Sequence, residues 1–79
     1  MHVDKIKNIL DKHARLAVDI NSLKVDSDLY AAGLTSLTTV NLMLALEDQF
    51  DVEFSDSMLG RKTFQSILSI SEAIDELLH

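Results

Sequence analysis

The sequence contains no cysteine and no proline, and only two glycines, Gly33 and Gly60. Without cysteine there is no disulfide framework and no thiolate nucleophile. The scarcity of chain breakers favours helices over a turn-rich all-β fold. Positive charge is also in short supply: 7 Lys and Arg stand against 13 Asp and Glu, for a formal net charge of −6. A nucleic-acid binder needs cations to displace counterions from phosphate, so this balance excludes nucleic acid and anionic membrane surfaces as partners. A basic protein surface is the natural complement. No stretch approaches membrane-spanning length, and the first residues have no apolar signal-peptide core. The expected location is the cytoplasm, with no membrane insertion.

What is present is a 79-residue chain of 47% hydrophobic residues, too apolar for intrinsic disorder. This length predicts one domain, residues 1–79, with a compact core. Val3, Ile6, Ile9, Leu10, His13 and Leu16 recur at helical spacing and predict a first helix over Val3–Leu16, with His13 half-buried on its apolar side. Ala17–Thr35 has no sustained period. It reads as a long loop pinned to the core by Val18, Ile20, Leu23, Val25, Leu29 and Tyr30, and a loop this long in so small a chain is usually functional. A second helix is expected from Ser36 to about Asp51, capped by Thr35 or Ser36. A short connection over Val52–Ser57 and a brief third helix over Met58–Lys62 follow. The last helix is expected from Phe64 or Ser66 to Leu78, with Phe64, Ile67, Leu68, Ile70, Ile74, Leu77 and Leu78 on its apolar side. The fold class is all-α: a small four-helix bundle of three main helices and one short one, with a long loop between the first two.

The second helix carries two apolar surfaces. Advancing roughly 100° per residue from Ser36 gathers Thr39, Leu42, Met43, Leu46 and Phe50 into an ordinary core stripe. Leu37, Val40 and Leu44 fall on another side, flanked by Asn41, Glu47 and Asp48. Unpaired carboxylates are costly to bury, so the second stripe reads as exposed, apolar at its centre and acidic at its border, as docking surfaces often are. The alternative is that these three residues pack under the long loop or the short third helix. Ser36 stands at the helix start, where serine is usually only a cap. A helix N-terminus also favours an anion, so a phosphodiester on Ser36 is electrostatically welcome there, and Gly33 allows close backbone approach.

The run Asp28-Leu29-Tyr30-Ala31-Ala32-Gly33-Leu34-Thr35-Ser36-Leu37, with Val40-Asn41-Leu42, Leu46-Glu47-Asp48-Gln49-Phe50 and Thr63-Phe64 behind it, resembles the acyl carrier protein family over nearly the whole chain. The resemblance implies that Ser36, supported by the motif residues Gly33, Leu34 and Thr35, carries covalent 4'-phosphopantetheine taken from coenzyme A by a phosphopantetheinyl transferase. It implies a non-enzymatic, monomeric carrier whose arm bears an acyl or aminoacyl thioester, loaded in trans by a ligase or synthase and unloaded by acyl-accepting transferases. Leu37, Val40, Asn41, Leu44, Glu47 and Asp48 then form the partner-recognition face. Thr63-Phe64 would match the family's opening of the last helix. Thr35 stands where the family usually has aspartate, Asn41 where glutamate is common and Ser55 where proline is frequent. These departures suggest a specialised carrier rather than the housekeeping carrier of fatty-acid synthesis.

Other chemistries find no support in the pattern. Asp26-Ser27-Asp28 suggests a calcium loop, but the positions that need glycine and glutamate hold Ala31 and Leu37. His2, His13 and His79 lack metal-ligand spacing, so no metal is expected. No nucleophile elbow surrounds Ser36, which argues against a hydrolase. The contrasting function class is a helical interaction module that docks through the outer stripe without a prosthetic group.

Overall fold

The computed structural model describes residues 2–14 and 16–79. Three α-helices form the frame: α1 over Val3–His13, α2 over Ser36–Phe50 and α3 over Ile67–Leu78. Single 3-10 turns lie at Ile20–Ser22 and Asp56–Met58, and no strand occurs among the described residues. The all-α class therefore holds, but the expected short helix over Met58–Lys62 does not form. That stretch continues from the Asp56–Met58 turn into open turns, with Thr63 N–H donating to Gly60 O and Phe64 N–H to Arg61 O. So few residues do not offset the cost of nucleating an α-helix, least of all across a glycine.

α1 ends earlier than its apolar period suggests. Ala14 N–H closes the last turn on Leu10 O, and Leu16 reaches the core from beyond the helix. The expected continuation through Arg15 lies outside the described residues. His13 is exposed rather than half-buried, because the helix stops there and an imidazole gains more from water than from an unpartnered apolar site. α3 begins after Ser66, whose hydroxyl accepts the Ser69 N–H at 3.0 Å. Thr63 and Phe64 thus precede the helix rather than open it. Ile67, Ile70, Ala73 and Ile74 face inward, whereas Leu68 and Leu78 are exposed at the edge of the expected stripe.

The core joins Ile6, Ile9 and Leu10 of α1, Leu42 and Leu46 of α2, and the inward face of α3. Phe54 and Phe64 also join it, their ring centroids 5.4 Å apart. His2 ties α2 to α3. Its Nε2 lies 2.6 Å from Asp75 Oδ1, and its ring meets Phe50 edge-on with centroids 5.1 Å apart. The long loop is held differently from expectation. Leu23 and Leu29 are buried, and Ile20 and Tyr30 partly so, but Val18 and Val25 are exposed. Backbone bonds to distant segments do the tethering: Ala17 N–H donates to Ala32 O, Leu29 N–H to Gln65 O, and Leu68 N–H to Val25 O. Val25 is therefore fixed by its carbonyl, and its side chain is left outside.

α2 stops at Asp51, which takes a left-handed conformation with φ 53°. Glu47 then bridges the turn. Its carbonyl accepts the Val52 N–H at 3.2 Å, and its carboxylate accepts the Phe54 N–H at 2.8 Å. Glu47, expected on the acidic border of the outer stripe, thus also has a structural bond of its own. It is half-buried and spends its charge on the chain's own backbone. Glu47→Ala removes a charged acceptor from the partly buried Phe54 amide, and is expected to lower unfolding free energy by about 1–3 kcal/mol in urea titration.

Candidate functional site

The segment leading into α2 is shaped to deliver Ser36 to the surface. Asp28 Oδ1 accepts the Tyr30 N–H at 3.0 Å and folds the chain into a tight turn. Leu34 N–H returns to Leu29 O at 2.9 Å, so the two buried leucines anchor both sides of that turn. Gly33 lies between them with φ 116°, and a Cβ there would sit 2.9 Å from the Ala17 backbone nitrogen. Any side chain would therefore force the two strands of the loop apart. The glycine serves internal packing, a more specific role than room for an approaching enzyme.

Leu34 is buried, Thr35 is extended, and Ser36 is the first residue of the helix. Of the two candidate caps, Thr35 takes the role. Its hydroxyl accepts the Thr38 N–H at 3.2 Å, while its own N–H donates to Thr38 Oγ1 at 2.8 Å, a reciprocal capping box. Thr39 Oγ1 adds a bond to Thr35 O at 2.6 Å. The hydroxyls around Ser36 are thus engaged with backbone. Ser36 itself is exposed, and its hydroxyl has no hydrogen-bond partner among the described residues. It stands at the positive end of a helix with no carboxylate in its first turn.

A depression of about 270 Å³ opens beside this hydroxyl, lined by Tyr30, Ser36, Thr39, Val40, Leu59, Gly60 and Arg61. Arg61 lies over the Tyr30 ring, its guanidinium carbon 4.0 Å from the centroid. Leu59 and Arg61 went unnoticed at the level of sequence because they belong to the irregular stretch before α3, where periodicity carries no signal. Tyr30 is expected from the sequence as a core pin and as part of the attachment run, with no role facing Ser36.

The outer stripe of α2 is exposed, as its acidic neighbours suggest. Leu37 is 74% exposed, Val40 49% and Leu44 55%, so neither the long loop nor the residues after α2 cover them. Leu42 and Leu46 on the inner stripe are fully buried, with Met43 and Phe50 beside them partly so. Asn41 and Asp48 lie exposed next to Leu44, and with Lys12 and His13 from α1 they border a shallow depression of about 490 Å³. The border is therefore of mixed charge. Glu47 has left it for Phe54, and Lys12 has joined it from the neighbouring helix. No helix of the described residues is long and apolar enough to cross a membrane.

Residues 4–74 match the family model described as phosphopantetheine attachment site. The chain is similar to an aminoacyl carrier protein of Agrobacterium fabrum, with 42% identity over 73 residues, 92% of this chain and 88% of that protein. Its fold superposes on a carrier protein from Agrobacterium tumefaciens with TM-score 0.92 and 39% identity, covering 96% of this chain and 99% of the other. That protein was solved in complex with an engineered Bradyrhizobium japonicum glycine:[carrier protein] ligase and ATP. It also resembles the holo acyl carrier protein of Nitrosomonas europaea, with TM-score 0.87 and 28% identity over 99% of this chain and 96% of that one.

Proposed function

The chain belongs to the phosphopantetheine attachment-site family of carrier proteins, whose prosthetic group is covalent 4'-phosphopantetheine, and on that premise we propose that it is an aminoacyl carrier with the arm on Ser36. A carrier is a substrate of other enzymes and not itself a catalyst. The position of Ser36 carries the attachment reading: an exposed hydroxyl free of internal bonds, on the first residue of a helix whose cap is supplied by its neighbour. The surroundings fit the group. A phosphodiester meets the positive helix end, and the depression beside Ser36 offers polar and apolar walls to the arm.

In the attachment reaction Ser36 Oγ would bond to the pantetheine-side phosphorus of coenzyme A as the pyrophosphate P–O bond breaks, adenosine 3',5'-bisphosphate leaving and the serine proton passing to a base of the transferase. Leu34, buried behind it, and the Thr35–Thr38 cap hold the hydroxyl's backbone still. The bound group supplies a thiol on a flexible tether, to which cargo is attached as a thioester. Leu37, Val40 and Leu44 supply apolar contact for each partner, while Asp48 and Asn41 steer its approach from the border. Such an interface allows visits by a transferase, a loading ligase and an accepting enzyme in turn. The expected working form is a single domain, monomeric and cytoplasmic.

The cargo reading draws on the aminoacyl carrier relative and on the ligase-bound carrier, both near 40% identical to this chain. The holo protein, incubated with ATP and a glycine:[carrier protein] ligase across a panel of amino acids, is expected to gain the mass of one aminoacyl group. Hydroxylamine should remove that group, as it does a thioester. Leu44→Asp should load roughly 5- to 150-fold more slowly at limiting carrier, since a carboxylate at the centre of an apolar contact costs on the order of 1–3 kcal/mol. Refusal of every amino acid together with acceptance of a fatty acyl group would overturn the cargo assignment.

A further inference from the structure

Arg61, like the described lysines, makes no ion pair among the described residues, but it alone of these cations lines the depression beside Ser36. Its guanidinium carbon lies over Tyr30, 4.0 Å from the ring centroid, at the rim of the same depression that Ser36 lines. A guanidinium seated over a ring is attracted to its face and keeps N–H groups available for an anion. Those donors match the spacing of phosphate oxygens, to which arginine binds in paired fashion.

Tyr30 is itself fixed. Its N–H is held by Asp28 Oδ1, its carbonyl accepts the Gly33 N–H at 3.2 Å, and its side chain is packed against the core. The cation therefore rests on a platform belonging to the same turn that presents Ser36. Arg61 arrives from the segment before α3, anchored by the bond from Phe64 N–H to Arg61 O at 3.2 Å. The two sides of the depression come from chain segments far apart in sequence and converge on one hydroxyl.

We propose that Arg61, seated on Tyr30, holds the phosphodiester of the arm and lays the arm's first segment along Val40 and Leu59. This rests on the assignment of Ser36 as the attachment point and adds to it a residue that positions the base of the arm. The phosphorus is one bond from Ser36 Oγ, so the anion must lie close to the depression's rim. The dimethyl carbon that follows the phosphate in pantetheine is apolar, as are the Val40 and Leu59 side chains. Arg61 thus makes the tether lean toward the Leu59–Arg61 segment at its root while its thiol end remains free.

The test compares isotopically labelled apo and holo protein by NMR, with intact mass taken on the same samples. The mass reports Ser36 loading by itself, so absence of a gain overturns the attachment reading and this proposal with it. With loading confirmed, the Arg61 Nε–Hε resonance is expected to shift on going from apo to holo, and its exchange with water to slow. In loaded Arg61→Gln, the two methyl signals of the arm should collapse toward their free-solution positions, and Arg61→Lys should restore part of their separation. Arg61 is exposed and outside any helix, so these variants are expected to fold as the parent does. A loaded protein in which the Arg61 resonance matches the apo form, or in which the methyl signals are the same with arginine and glutamine, would show that the guanidinium does not hold the arm.

Discussion

Ser36→Ala protein, incubated with coenzyme A and a broad-specificity phosphopantetheinyl transferase, is expected to keep its starting mass while the parent gains one phosphopantetheine. The effect should be total, because no other oxygen can replace the attachment atom. It should also be separable from folding. The helix is capped by Thr35, and the Ser36 hydroxyl bonds to nothing inside the protein. Alanine is a better helix former at that position, so stability should change by no more than about 0.5 kcal/mol. Thr35→Ala is the complementary variant: it loses the cap, worth about 1 kcal/mol, yet keeps the acceptor oxygen and should still be loaded. Mass gain in Ser36→Ala would move the attachment elsewhere. Survival of cellular function in that variant would favour an interaction module working through the outer stripe of α2.

Leu42→Ala, like the same change at Leu46, should be among the most damaging truncations on α2. Leu42 is fully buried in the core, and a buried leucine cut to alanine loses about 2–5 kcal/mol through lost transfer energy and the cavity left behind. At about 0.05–0.15 kcal/mol per residue, a chain of 79 residues has a total of roughly 4–12 kcal/mol. Leu42→Ala thus removes a large share of it, and the urea midpoint should fall accordingly. Leu44→Ala makes the same chemical change two residues away on the exposed face, and should shift stability by no more than about 0.5 kcal/mol. Equal losses at the two positions would mean that α2 does not have one inner and one outer apolar face.

That division was legible in the sequence because both stripes lie on one regular helix, where angle follows from position. Leu42 and Leu46 fell inside and Leu37, Val40 and Leu44 outside by the same arithmetic. The place of Ser36 at the head of that helix was legible for a related reason, whereas its role as the attachment point rests on the family resemblance and is proposed. What escaped were roles set by neighbours distant along the chain. Glu47 looked like a solvent-facing acid until the chain turned back at Asp51 and brought the Phe54 amide to it. Val18 and Val25 looked like anchors, but the loop is anchored by backbone bonds, to which side-chain hydrophobicity is no guide. Gly33 was seen, yet its need came from Ala17, which only the folded loop brings near. Arg61 lies in a stretch without period, and its contact with Tyr30 spans 31 positions, 61 − 30, of sequence.

The pair of threonines that begins α2 has a thermodynamic consequence. Because Thr35 and Thr38 satisfy the helix amides with neutral oxygens, the unmodified chain leaves the positive pole of α2 without a counter-charge. The phosphodiester proposed on Ser36 would supply it. Modification and local order are then coupled in both directions: the charged adduct disfavours fraying of the first turn, and a frayed first turn weakens the hold on the adduct. Hydrogen exchange at the start of α2 would thus report how much of a population has been converted, with no need to see the adduct itself.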